Sequence, residues 1–193
     1  MSQIPNPDPN KDLPPHIETW LKNLPRQRLV GGNPMSDRLP LPRLFPEPAC
    51  ESHLQAQCCI AAMHLALNDL TGGHAICQDI ENAEGSYWHG IMHRREPDYD
   101  NAKYWFRLVG RHEIFPALLA SAKNCRVESA PTPDIRRLLK AEQWDPCLFI
   151  DLCAKAIGEN NRVLHSFCLD VQEAEWRLLF SHCYRLATTG QKD

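Results

Sequence analysis

The chain contains no C-x-x-C pair, no glycine-rich phosphate loop, no G-x-S-x-G turn and no apolar run long enough to span a bilayer. These absences argue against a zinc ribbon or thioredoxin-like motif, dinucleotide or P-loop chemistry, a serine-hydrolase elbow and a transmembrane helix. Charge of one sign is also scarce: the formal net charge is -3 over 193 residues, with a sequence pI near 6.3. No basic surface for nucleic acid or for a membrane is therefore expected. The N-terminal "MSQIPNPDPNKDLPP" is polar and lacks the basic-then-apolar pattern of a signal peptide, so a soluble cytoplasmic protein is the expectation.

Cysteine, by contrast, is plentiful. The nine thiols are odd in number and Cys58 adjoins Cys59, which speaks against a disulfide framework. Cys58, Cys77, Cys153 and Cys168 sit among apolar residues in helical patterns, where a thiol packs as a small hydrophobe; catalytic thiol chemistry, which needs only a histidine nearby in space, is the alternative.

Eleven of the 16 prolines precede residue 50. Proline removes an amide donor and fixes φ, so residues 1–49 read as an extended proline-rich N-terminal arm, and residues 50–193 as a single helical domain. One amphipathic piece interrupts the arm at "HIETWLKNL", where Ile17, Trp20, Leu21 and Leu24 recur at helical spacing. The later "LPLPRLFPEP" carries Leu39, Leu41, Leu44 and Phe45 between prolines and reads as a strap across a groove, with disorder as the competing reading.

Beyond Cys50 the period is helical, and the expectation is an all-α irregular bundle of six to eight helices. The spacing predicts a first helix ended by "TGG" and a second from about His74 to Arg95. Asp98 or Asp100 caps a third through Val109, closed by Gly110. Two shorter helices follow, over about 112–123 and 133–142. "DPCLFIDLCAKAIG" reads as a helix capped by Asp145, and a long last helix covers about 162–187.

The segment richest in chemistry is "GSYWHGIMHRREPDYDNAKYWFRLVGRH". His89 and His93 stand four residues apart, on one side of a helix, and two imidazoles at that spacing can reach a single divalent transition metal. Glu96, Asp98, His112 and His74 are candidates for a third ligand. Catalytic roles fall to His89, His93 and Glu96. His74, Gln78, Trp88, Arg94, Arg95 and Asp98 would bind substrate, with an arginine gripping an anionic group. Gln78 and His74 enter as residues on successive turns of the same predicted helix, and Trp88 as the aromatic beside His89. Tyr104 and Trp105 are assigned to the core. The bland alternative is a helical hairpin pinned by ion pairs, with His53, His64, His165 and His182 in ordinary structural roles.

"YWHGIMHRREPDYDNAKYWFRLVGRH" resembles a segment of uncharacterised bacterial and fungal proteins to which no activity attaches. It is similar as well to a tetratricopeptide or Sel1 helical hairpin through Ala102 and the Tyr104–Phe106 block, which implies a protein-binding scaffold. Two functions follow: a hydrolase-like or lyase-like site that binds a metal or an anionic small molecule, or a helical interaction module without catalysis.

Overall fold

The structure is a computed structural model that describes residues 13–24, 26–35, 43–45, 54–125 and 131–189. Among them are nine helices and no strand: α1 Pro15–Lys22, α2 Leu54–Ala66, α3 Leu70–Cys77, α4 Ala83–Arg95, α5 Tyr99–Val109, α6 Phe115–Asn124, α7 Pro133–Leu139, α8 Pro146–Gly158 and α9 Arg162–Thr189. The described residues thus form an all-α bundle, with α1 preceding residue 50 and eight helices following it. No described helix is long and apolar enough to cross a membrane.

Local chemistry sets the helix starts. Asp69, Asn82, Asp98, Thr132 and Asp145 each accept a hydrogen bond from the backbone N–H three residues on, satisfying a donor that the helix leaves open. Pro133 and Pro146 occupy first-turn positions, where no amide is needed. Gly110 closes α5 with φ at +64°.

The break between α3 and α4 differs from the sequence expectation. "TGG" does not end α2; it lies inside α3, because Asp69 caps a new helix there. A Cβ on Gly73 would sit 3.0 Å from Leu65 Cδ2, so this glycine serves the close packing of α3 on α2. The real break is at residues 78–82, where Asn82 caps α4. Gly85 follows for a similar reason: a Cβ would lie 2.5 Å from the Ile80 carbonyl oxygen, so the chain folds back tightly on itself just before α4.

α4 is the central element. Every residue from Gly85 to Arg95 is buried, although the helix carries two histidines and two arginines. A helix enclosed on all sides is ordinarily apolar all round. Here each polar face is met by a different neighbour. The Tyr87 and Arg94 face meets Glu175 of α9 and Phe149 of α8. The Trp88 and Arg95 face meets Trp176 and the end of α2. The His89 and His93 face meets α3 and α5.

The arm contributes to the core where it is described. Ile17 and Leu21 of α1 are buried, as are Leu44 and Phe45, and Phe45 stacks on Tyr184 with ring centroids 5.4 Å apart. Leu39 and Leu41 lie outside the described residues.

Candidate functional site

Because α3 and α4 form a helical turn-back and not one continuous helix, His74 faces His89 and His93 from a separate element. Its ring lies edge-on to both, with centroids 4.8 and 5.6 Å away. His89 and His93 stack on each other at 4.8 Å, as their i, i+4 spacing requires. One nitrogen from each of the three rings lies within 4.8 Å of the other two. A tetrahedral metal with three nitrogen ligands needs them about 3.4 Å apart, so ring rotations of about 1 Å would complete such a site.

His89 and His93 are 3% and 7% exposed, whereas His74 is only partly buried, so the cluster opens to solvent on the α3 side. The Nδ1 of His89 is buried without a hydrogen-bond partner, and its ring stacks on Trp105 at 3.9 Å. Burial, reinforced by His93 and His74, pulls its pKa down to about 4, and burial also lowers that of His93. At neutral pH these imidazoles are therefore bases with unprotonated nitrogen, the form that ligates metal.

Carboxylates stand behind the cluster. Glu96 Oε2 lies 3.4 Å from His93 Nδ1, and Asp98 Oδ2 lies 3.8 Å from it. A proton on Nδ1 turned toward these groups leaves Nε2 free, the arrangement in which a carboxylate orients a metal-ligating histidine. Asn101 Nδ2 approaches Nε2 at 3.1 Å and would turn aside when that nitrogen ligates. Asp98 is also the cap of α5, which gives it a structural task in addition.

The buried neutral histidines carry a pH dependence. The folded pKa of His89 lies below the unfolded value of about 6.5, so the unfolded chain binds more protons between these limits. That contribution to stability is complete above about pH 6.5 and is lost as pH falls toward 4. Metal-free protein should lose about 2 kcal/mol between pH 7.5 and pH 5 from His89 alone, and His93 adds to it with the same sign. Urea denaturation at the two pH values, beside His89→Gln, checks this: the variant should show a shallower pH slope.

The remaining predicted site residues are placed elsewhere. Gln78 is exposed at the end of α3 and out of line with His89, since the helix on which that alignment depended is broken. Trp88 is fully buried against Trp176, centroids 6.1 Å apart, and does not border the histidines. Trp105 takes that place instead, while Tyr104 is 52% exposed, so neither is the core residue that the spacing implied. Arg94 is committed to Glu175, and Arg95 donates to the Leu65 carbonyl at 2.6 Å and to Asn68 Oδ1 at 2.8 Å, away from the histidine face.

A second cluster, Glu84, His112 and His182, was not anticipated as a unit, because its members are far apart in the chain. Its hydrogen bonds decide its character. His112 Nδ1 accepts from the Ile114 N–H at 3.3 Å, and His182 Nδ1 lies 3.3 Å from the donor Arg185 Nη2. With both Nδ1 atoms facing donors, the Nε2 atoms are the ones that face Glu84 Oε1, at 3.2 Å from His182 and 3.7 Å from His112. Hydrogen bonding from His112 and His182 holds the Glu84 carboxyl well below the usual range. This group brackets one carboxylate between two imidazoles and joins α4, the turn before α6 and α9.

Burial also bears on the described cysteines. None of the described cysteines is in a disulfide. Burial pushes the Cys77 thiol up to about 12, and Cys58 is raised by its contact with Cys183 and by burial. Such thiols are poor nucleophiles.

Comparison of the chain with family models, with curated proteins and with solved structures gives no match.

Proposed function

We propose that the protein binds a divalent transition metal through His74, His89 and His93, leaving the fourth position for water or substrate. The observation that carries this reading is the convergence of three imidazole nitrogens, two of them on desolvated, unprotonated rings, with carboxylates behind one of them. Three histidines with an open position are a catalytic zinc arrangement: the ion lowers the pKa of bound water toward neutrality and polarises a substrate oxygen. Hydrolytic or lyase-like chemistry on a small molecule is the corresponding activity. Glu96, an exposed carboxylate 3.4 Å from His93 Nδ1, would hold the proton of that nitrogen and orient the ring so that Nε2 faces the ion.

Cobalt(II) tests the coordination directly. Titrated into reduced, metal-free protein, it should give d–d bands in the visible of the intensity typical of four- or five-coordinate nitrogen and oxygen ligation, saturating at about one equivalent. His93→Ala should leave only the weak spectrum of the hydrated ion. A strong sulfur-to-cobalt charge-transfer band would place the ion on cysteines and overturn the assignment.

A second reading, a tetratricopeptide-like interaction module without catalysis, is favoured by Tyr104 and Leu108. They are 52% and 53% exposed and stand one turn apart on the outer side of α5. On that reading the three histidines merely pack against one another, and cobalt produces no spectrum.

A further inference from the structure

We propose that the cavity beneath the strap of residues 26–35 binds a small organic anion through a phosphate or carboxylate group, with Arg95 and Arg28 as its counter-ions. This site is separate from the histidine cluster and does not depend on the metal reading, since Arg95 leaves a different face of α4, toward Leu65 and Asn68.

The cavity measures about 330 Å³, the lower end of the range for small-ligand pockets. Its lining includes Arg26, Arg28 and Arg95 together with Asn33 and Asn68, and no aspartate or glutamate. Arg26 is already balanced by Asp170 on α9. The other two cations have no acidic partner among the described residues.

Arg95 poses the physical problem that a ligand would solve. It is 1% exposed, and a guanidinium has five donors and a full charge. Its acceptors are only the neutral Leu65 carbonyl and Asn68 Oδ1, and its Nε has none. An isolated charge removed from water is costly unless paired, and Arg94, one residue away, already holds the nearby Glu175. Burial and the charge of Arg94 depress the Arg95 pKa to about 10, which still leaves it a cation at neutral pH. Two arginines facing one cavity without a carboxylate match the fork geometry by which guanidinium groups grip oxyanions.

The surrounding backbone is built to hold the cavity open. The strap is pinned on both sides of it: the Gly31 N–H donates to the Arg95 carbonyl at 2.7 Å, and the Met35 N–H to the Leu67 carbonyl at 2.8 Å. Asn68, in a left-handed conformation at φ 59°, uses Oδ1 to accept from Arg95 and Nδ2 to donate to the Asn33 carbonyl at 3.1 Å. At Gly32 a Cβ would lie 3.0 Å from Arg28 Nη1 and 3.2 Å from Asn68 Nδ2, so the missing side chain leaves these donors uncovered.

The test is calorimetric titration of the full, metal-free chain at low ionic strength with inorganic phosphate and, separately, with succinate, each against sodium chloride of matched ionic strength. Arg28 is exposed, so Arg28→Ala should fold normally, which its thermal transition would verify. Saturable binding of phosphate that weakens at least about tenfold in Arg28→Ala supports a phosphate-bearing ligand. The same pattern with succinate supports a carboxylate-bearing one. Absence of binding to both, binding equal in Arg28→Ala, or heat reproduced by chloride would overturn the proposal.

Discussion

Replacing Arg94 with methionine should destabilise the protein by about 3–5 kcal/mol, the largest effect expected of any single substitution in α4. Arg94 is 1% exposed and Glu175 is fully buried, and their closest approach, Nη2 to Oε2, is 2.5 Å. Burial penalises the charge on Arg94, but the Glu175 carboxylate outweighs the penalty and raises its pKa above the ordinary arginine value. Tyr87 donates its hydroxyl to Glu175 at 3.1 Å, and the Arg94 guanidinium lies over Phe149, 4.7 Å from the ring centroid. Gln172 extends the network, accepting from Arg94 and donating to the Arg28 carbonyl in the strap. Removing the cation strands a carboxylate in an interior with no other positive partner in contact. For a chain of this size the loss corresponds to about 6–20 °C in Tm. Arg94→Met combined with Glu175→Leu should recover much of it, although the Tyr87 hydroxyl then lacks its acceptor. A loss below about 1 kcal/mol in the single variant would mean that the pair behaves as a solvated surface bridge.

The same residue shows what one sequence can and cannot reveal. Its position in the last turn of α4 is legible from the helical period and from Pro97. The partner, 81 residues later in α9, is not: Glu175 sits beside Glu173 and reads as one of two solvated acids on a long helix. Burial inverted that reading, because the turn of α9 bearing Glu175 faces the polar side of α4. The metal candidate followed the opposite course. His89 and His93 are legible as a pair from spacing alone, whereas the period links His74 to them only as part of one continuous helix. What brings His74 to the pair is the break at residues 78–82, signalled only by Asn82, since the more conspicuous glycines of "TGG" serve packing. Trp105 is illegible for a related reason. Its helical spacing resembles that of a core residue, whereas α5 turns it toward the histidines.

Zinc should raise the Tm of the wild-type protein by about 5–11 °C when free metal stands at about 100 times its dissociation constant. That excess contributes about 2.7 kcal/mol, and a domain of this length gains about 2–4 °C for each kcal/mol. His93→Ala should respond hardly at all, because His93 is the ligand whose ring Glu96 and Asp98 face. The unfolded chain, with nine cysteines and nine histidines, binds zinc as well and reduces the observed shift in both proteins. The difference between them is therefore the quantity to read. Removing the wild-type metal with a chelator should return its transition to that of the metal-free protein. Equal shifts in the two proteins would locate the ion away from the cluster.

The most direct measurement is the metal content of purified untagged protein after equilibration with zinc and removal of loosely held ions, beside a folded His89→Ala, His93→Ala variant. The tri-histidine site predicts about one equivalent in the wild type and essentially none in the variant. No metal in the wild type, or the same content in both, would contradict it.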